Sequence, residues 1–142
     1  MSITSANASL YLSIDGLYPT AQKIQDWEAD DAFSTDAVQR TERRYGIDGK
    51  FTAGFVWNAV PMTITLLPDS VSRTVFENLS SVMQTNQSVY ELTGTLLIPA
   101  IGRRFTMTRG FLVDELVLPT AQKTLQPMPY NIEWGKITGD DI

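Results

Sequence analysis

Residues 91–109, ELTGTLLIPAIGRRFTMTR, constrain the fold of this chain most, because their apolar and polar side chains alternate. The alternation runs through two segments, and a turn containing Pro99 and Gly102 separates them. The apolar positions are Leu92, Gly94, Leu96 and Ile98 before the turn, and Phe105 and Met107 after it. A period of two with many threonines predicts a β-hairpin. One face of such a hairpin packs on a core, and the other, rich in hydroxyl groups, meets water or a partner.

The composition excludes most catalytic chemistry. A chain of 142 residues is one domain of ordinary size, and it contains no cysteine and no histidine. Disulfides, thiolate zinc sites and every Ser-His or Cys-His nucleophile pair are therefore excluded. No phosphate-binding glycine loop, metal-ligand spacing or catalytic triad is present. We therefore predict a single domain, residues 1–142, that is not an enzyme and has no catalytic residues, no metal site and no cofactor.

The net charge argues against a protein that grips nucleic acid. Eleven basic and sixteen acidic residues give a net charge of −5. Proteins gain affinity for DNA by neutralising phosphates with lysine and arginine, so an acidic chain makes a poor clamp. The same sign suits a surface past which nucleic acid moves without sticking. The first residues lack the pattern of a signal peptide, and no apolar run reaches the length of a membrane span. We expect no membrane contact and synthesis in the cytoplasm.

Alternating patterns predict several further strands, and the connecting residues predict the turns. The strands are expected at Leu10–Ile14, Gln22–Phe33, Phe51–Trp57, Met62–Leu66, Gly110–Val117 and Tyr130–Trp134. Turns are expected at Tyr18-Pro19-Thr20 and at Asn58–Pro61. The acidic tail, Gly139–Ile142, is expected to be loose.

One helix is predicted, over about residues 71–85. Its apolar side chains fall on one stripe at helical spacing: Val71, Val75, Phe76, Leu79, Val82 and Met83. Asp69 or Ser70 is expected to cap its free N–H groups. Such a stripe is typical of core packing, so the residues alone predict an antiparallel sheet that packs on one helix and assembles with other subunits.

An acidic stretch lies within the predicted strand Gln22–Phe33. Asp26, Glu28 and Asp30 share one face of that strand, because successive side chains on a strand alternate. Three interpretations stay open. The carboxylates can form a solvated edge, or they can form an acidic wall facing a water-filled space. A calcium site is the third, although the spaced loop and glycine of a recognisable motif are missing.

Residues 34–50, STDAVQRTERRYGIDGK, are the least regular part of the sequence and are predicted to form a long charged loop. The charged residues singled out are Arg40, Arg43, Arg44, Asp48 and Lys50, with Asp48-Gly49 as a turn signal. Long charged loops in compact domains are usually functional or mobile. The loop is either a mobile hairpin tip or an arm that orders against another subunit, where its arginines meet acidic groups.

Five segments occur in an order and spacing that resemble a known family. They are ADDAF (Ala29–Phe33), YGIDGKF (Tyr45–Phe51), ITLLPDS (Ile64–Ser70), GTLLIPAIGRRFTMTRG (Gly94–Gly110) and LPTAQKTLQPMPYNIEWGKI (Leu118–Ile137). The set resembles the tail tube proteins of tailed bacteriophages, from about Ala29 to Ile137. The family usually has Asn where this chain has Arg109, so the turn at that position is expected to differ.

The resemblance implies a mainly β fold, a β-sandwich or barrel with one flanking helix, in a structural protein of the virion tail. Subunits of that family form hexameric rings that stack into a tube through which viral DNA passes without specific binding. The loop residues Arg40, Arg43, Arg44, Asp48 and Lys50 would then contact the next ring. Asp26, Glu28 and Asp30 would face the lumen.

The partners implied are further copies of the chain, the tape measure protein, and sheath, baseplate and terminator proteins. Assembly would take place in the cytoplasm of the host cell. Two alternatives stay open. One is a tube-like relative with the same fold: a baseplate protein, a tail terminator or a tube subunit of an injection system. The other is an unrelated β-domain that binds a small ligand or an oligonucleotide.

Overall fold

A computed structural model of the chain describes residues 8–24, 33–118 and 120–142. The described part is mainly β, with one α-helix. The strands are β1 (Ser9–Ile14), β2 (Tyr18–Ile24), β3 (Phe33–Thr35), β4 (Thr41–Tyr45), β5 (Phe51–Phe55), β6 (Val60–Leu66), β7 (Leu92–Ile98), β8 (Arg103–Glu115) and β9 (Met128–Asp141), and the helix is α1 (Arg73–Asn86).

Seven strands form one antiparallel sheet in the order β2-β1-β7-β8-β9-β6-β3, and β4 pairs with β5 apart from it. The predicted hairpin of residues 91–109 is confirmed as β7 and β8, with Leu96 opposite Phe105. A short 3-10 turn, Pro99–Ile101, joins the two strands, and Gly102 closes it at a φ of 64°. The mainly β fold with one helix, as the sequence predicted, is confirmed.

One face of the sheet forms the core, and the sheet curves around it. Buried and half-buried residues alternate through β6, and Ile132 and Trp134 of β9 are fully buried. Phe33 of β3 lines the same cavity as Leu96 of β7, although three strands lie between β3 and β7 in the sheet. The two residues can line one cavity only because the sheet is strongly twisted and bent. The predicted division into an apolar face and a wet face is confirmed.

The helix packs on the core face of the sheet. Val75, Phe76 and Leu79 are buried, and the ring of Phe76 stacks on the ring of Tyr130 at a centroid distance of 4.3 Å. Val71 lies outside the helix and is exposed. The helix begins within two residues of the predicted position. Among the described residues, no helix is long and apolar enough to cross a lipid bilayer.

The predicted cap of this helix is confirmed in part, because Ser70 accepts a hydrogen bond from an N–H group at the start of the helix but is not the N-cap residue. The N-cap residue is Ser72, not Asp69 or Ser70. Ser70 uses its hydroxyl oxygen one turn earlier, where it accepts a hydrogen bond from the backbone N–H of Ser72 at 3.2 Å. The Ser72 hydroxyl donates to the carbonyl of Lys23 at 3.2 Å, which ties the start of the helix to β2.

The predicted loose tail is wrong, because β9 continues to Asp141. Arg103 contacts Asp141 at 2.9 Å and Arg104 contacts Asp140 at 2.6 Å, each pair lying in register across β8 and β9. The backbone N–H of Ile142 donates to the carbonyl of Gly102 at 3.1 Å. The tail is ordered because its acidic residues pair with Arg103 and Arg104, which lie more than 30 positions earlier in the sequence.

Several predicted boundaries differ from the observed ones. Residues 18–20, predicted as a turn, open β2, and the turn lies just before them at residues 15–17. Pro61, predicted to end a turn, belongs to β6. The predicted strand Gly110–Val117 is the second half of β8, which runs without interruption from the hairpin turn.

Arg109 lies at an irregularity of β8, not in a turn. Leu92 pairs with Gly110 and Gly94 pairs with Met107, so β8 has one more residue than β7 between these pairs. Arg109 takes a φ of 53°, a conformation that side-chain-bearing residues rarely adopt. The extra residue is a β-bulge, which bends the strand.

Candidate assembly surfaces

β4 and β5 form a two-stranded arm, residues 41–55, that pairs with no other described strand. All ten residues of its strands are exposed. The prediction of one irregular loop over residues 34–50 is therefore wrong: this segment includes the end of β3, all of β4 and the turn that follows. β4 shows no alternation of apolar and polar residues, because both of its faces are exposed, so its sequence does not predict a strand.

Asp48 and Gly49 form the turn at the tip, as the turn signal predicted. The carboxylate of Asp48 accepts a hydrogen bond from the N–H of Lys50 at 3.1 Å, and Gly49 takes a φ of 84°. At the base of the arm, the N–H of Val56 donates to the carbonyl of Arg40 at 3.0 Å.

The register gives the arm two chemically different faces. Residues directly opposite each other in an antiparallel pair point to the same side. One side, the aromatic face, carries three such pairs: Thr41 with Phe55, Arg43 with Ala53, and Tyr45 with Phe51. The other side, the polar face, carries Glu42 with Gly54 and Arg44 with Thr52. On the polar face Arg44 and Glu42 form a salt bridge at 3.1 Å.

The aromatic face exposes large rings to water. Tyr45 is 75% exposed, Phe55 62% and the adjoining Trp57 88%. Tyr45 and Phe51 contact each other with ring centroids 4.7 Å apart, and Phe55 meets Trp57 edge to face at 4.9 Å. A lone hairpin is only marginally stable in water, and contiguous exposed apolar surface marks an interaction site. The arm therefore has the properties of a binding element.

The structure disperses the five charged residues that the sequence grouped as one contact. Arg40 lies at the base of the arm, Asp48 and Lys50 at its tip, Arg43 on the aromatic face and Arg44 on the polar face. Their joint role in contacting a next ring stays a prediction. The aromatic residues were noted in the sequence only as strand markers, and their shared face follows from the register.

An apolar groove of about 530 Å³ opens beside the base of the arm. Its apolar lining includes Phe33, Val38, Leu96, Ile98 and Phe105. Asp36 and Arg40 are its charged lining residues. Sequence reasoning missed the groove, because its walls come from segments that meet only when the sheet bends.

The solvent-facing side of the central strands is rich in hydroxyl groups. Its residues include Ser13, Thr93, Thr95, Thr106, Thr138 and Thr63, and we call this surface the wet face. The hydroxyl of Thr63 donates to the side-chain oxygen of Asn131 at 2.7 Å. Two opposite charges on this face, Arg104 and Asp140, form a salt bridge. The hydrogen bond and positive charge of Arg104 lower the pKa of Asp140, and the same contact raises the pKa of Arg104.

The predicted acidic residues Asp26, Glu28 and Asp30 lie outside the described residues. Their assignment to a lumen stays a prediction. Among the residues that the structure describes, no group of three or more acidic side chains is placed to hold a metal ion.

Comparison with known proteins gives a family and a fold. The model of a family described as "Tail fiber protein gp32" matches residues 1–138. No curated protein sequence matches the chain.

Among solved structures, the chain resembles one from the cryo-EM structure of the anti-feeding prophage baseplate, 6-fold symmetrised. The TM-score is 0.63 at 8% identity, covering 99% of this chain and 97% of that one. A chain of the tube-terminating cap of the same prophage gives 0.59 at 10% identity, covering 100% and 93%. A chain of the sheath-tube complex of an extracellular contractile injection system, PVC, gives 0.56 at 11%, covering 94% and 88%. At such identities the likeness shows a shared fold.

Proposed function

The chain belongs to the tail fiber protein gp32 family, and from that premise we propose that it is a structural subunit of a virus tail tube. In this proposal, copies of the chain form hexameric rings, and the rings stack into a hollow conduit for genomic DNA. The observation that carries the proposal is the likeness, over 92% or more of the chain, to chains of baseplate, cap and sheath-tube assemblies. One of those assemblies is described as sixfold symmetrised.

We assign the wet face to the bore of the tube. The opposite face is occupied by the core and by α1, so the wet face is the extended sheet surface available to line a channel. Threonine hydroxyls keep such a lining hydrated, and the Arg104–Asp140 pair adds little net charge. A lining with few unpaired cations would let DNA pass, since tight binding to phosphates requires them. Asp26, Glu28 and Asp30 are proposed to add negative charge to the same bore.

The arm is proposed to join one subunit to another. Its strands pair with each other and with none of the seven described strands of the main sheet. Its exposed aromatic rings would be covered by a partner. The other partners proposed are the tape measure protein within the tube and sheath, baseplate and terminator proteins around and at its ends. The role is non-enzymatic, and the place of action is the virion tail, after assembly in the host cytoplasm.

A tube-like baseplate or cap protein is the second candidate, because two of the similar solved structures are a baseplate and a tube-terminating cap. Such a protein would form a ring that does not propagate. The two roles share the fold and differ in whether rings stack on identical rings.

Negative-stain electron microscopy of the purified protein, together with light scattering behind size-exclusion chromatography, tests the proposal. Long hollow tubes or stacks of rings are the expected result. Isolated rings would favour the baseplate or cap role. Lasting monomers at high concentration would contradict both and favour the β-domain that binds a small ligand or an oligonucleotide.

A further inference from the structure

We propose that the aromatic face of the arm docks in the apolar groove of a second copy of this chain. The proposal rests on the tube function and names the two surfaces of the contact. It also assigns different roles to two adjacent arginines. Arg43 lies inside the contact, and Arg44 lies outside it.

Apolar chemistry on both sides supports this pairing. The aromatic face presents Tyr45, Phe51 and Phe55, all more than half exposed. The groove, lined by side chains such as Phe33 and Ile98, has a volume of about 530 Å³. A cavity of this size is in the range that receives ligands of several rings. Docking would remove the apolar surfaces of both the arm and the groove from water. Burial of apolar surface is the main driving force of protein association.

Charge supports the same pairing. Arg43 is the single charged residue among the six of the aromatic face, and it lies between the Thr41–Phe55 and Tyr45–Phe51 pairs. Asp36 and Arg40 are the charged residues that line the groove, and Asp36 is the acidic one. Within the described ranges, neither the Arg43 guanidinium nor the Asp36 carboxylate has an ion-pair partner. Arg43, set among the rings of the arm, and Asp36, an exposed carboxylate of the groove lining, would form an ion pair at the interface.

The two surfaces belong to one chain but stay apart within it. The rings of the aromatic face remain exposed in the single chain. Each copy therefore presents both a projection and a receptor. Contacts between two different surfaces repeat from copy to copy, and they generate closed rings or helical stacks. Closed rings and helical stacks are both compatible with the wall of a tube.

Cysteine cross-linking tests the contact directly, because the chain contains no cysteine of its own. One preparation carries Phe55→Cys on the aromatic face, and a second carries Thr35→Cys at the rim of the groove. After mixing and mild oxidation, a disulfide between the two positions can form only between different copies. We expect mass spectrometry to find this disulfide in abundance. The matched control is Gly54→Cys, one residue away on the polar face, which should cross-link to Thr35→Cys several-fold less.

Charge exchange tests the pairing of Arg43 with Asp36. Arg43→Asp and Asp36→Arg should each raise the concentration needed for assembly by about tenfold or more. The double variant should restore assembly toward the wild-type level. Arg44→Asp should raise that concentration several-fold less than Arg43→Asp does, because Arg44 lies on the polar face. Circular dichroism of each variant checks that the fold is retained.

The outcomes separate this proposal from the tube function. Tubes or rings of wild-type protein with no Phe55→Cys to Thr35→Cys disulfide would overturn the docking proposal and leave the tube function standing. Equal losses from Arg43→Asp and Arg44→Asp, or a double variant as weak as the single ones, would also overturn it. Wild-type monomers without cross-linking would overturn both proposals.

Discussion

Gly110 lies against the indole ring of Trp134 so closely that a Cβ atom on Gly110 would overlap the ring. Trp134 is fully buried, and its indole N–H points to the sulfur of Met62 at 3.3 Å. β8 and β9 pair directly at these two residues, next to the bulge at Arg109. The absence of a side chain on Gly110 therefore allows the largest core residue to fill the bend of the sheet.

Gly110→Ala should destabilise the fold. The added methyl group would force the indole or the β8 backbone to move, and overpacking of a core typically costs about 1–3 kcal/mol. The free energy of unfolding, measured by urea denaturation followed by tryptophan fluorescence, should fall by that amount.

Gly54→Ala is the control for this substitution. Gly54 is also a strand glycine, but a Cβ there would have no atom within 4 Å. Its replacement should leave the stability of the domain nearly unchanged. An equal loss in both variants would mean that the contact with Trp134 is not the cause.

The contact between Gly110 and Trp134 also shows which features of the fold could be predicted from the sequence. Alternation within a segment is local, so the β7–β8 hairpin, β6, the helix and the two faces of the sheet could be predicted from it. The pairing of Gly110 with Trp134 joins segments 24 positions apart, and no local pattern reveals it. Sequence reasoning even placed Gly110 at the start of a separate strand.

Charged residues account for the two wrong predictions at residues 34–50 and 139–142. In the arm, the charged residues of β4 give no strand pattern, and in the tail, the acidic segment 139–142 predicts a loose end. Both segments are ordered by residues on a neighbouring strand: Tyr45 pairs with Phe51, and Asp140 pairs with Arg104. The groove could not be predicted, because it exists only after the sheet bends.

The Arg104–Asp140 pair predicts a dependence of stability on pH. The pKa of Asp140 is lowered in the folded state, chiefly by the hydrogen bond from Arg104. A carboxyl with a lowered folded pKa stabilises the fold above its unfolded pKa, and this contribution is lost as the pH falls through the folded pKa. Asp140→Asn should therefore be less stable than wild type at pH 7, and the difference should shrink as the pH falls below about 4.

A double-mutant cycle isolates this pair. On an Arg104→Ala background, Asp140→Asn should cause little further loss at pH 7, because the partner is already absent. Thermal melts at pH 7 and pH 3 are sufficient measurements. A full additional loss on that background would show that Asp140 acts through another group.

Arg109 should be replaceable with a gain in stability. Its φ of 53° costs a side-chain-bearing residue about 1 kcal/mol or more, and glycine avoids this cost. Arg109→Gly should therefore raise the free energy of unfolding by roughly 0.5–1 kcal/mol, net of the greater freedom of glycine in the unfolded chain. Arg109→Ala keeps the Cβ atom and should show no such gain. A gain of equal size in both variants would trace the effect to the arginine side chain.

Tyr130→Phe should protect the fold against alkali. Burial, with smaller contributions from the charges of Glu115 and Glu77, raises the pKa of Tyr130 from 10.0 to about 12. Below pH 10 the hydroxyl is protonated in both states, so the stability does not depend on it. Between pH 10 and 12 the unfolded chain loses this proton and the folded chain keeps it, so stability falls by up to about 1.4 kcal/mol per pH unit.

Tyr130→Phe should remove this part of the loss, as measured by urea denaturation at pH 9, 10 and 11. Tyr11→Phe, on the wet face, is the control for the loss of a tyrosine hydroxyl elsewhere in the sheet. Identical alkaline losses in wild type and Tyr130→Phe would show that another group limits stability at high pH.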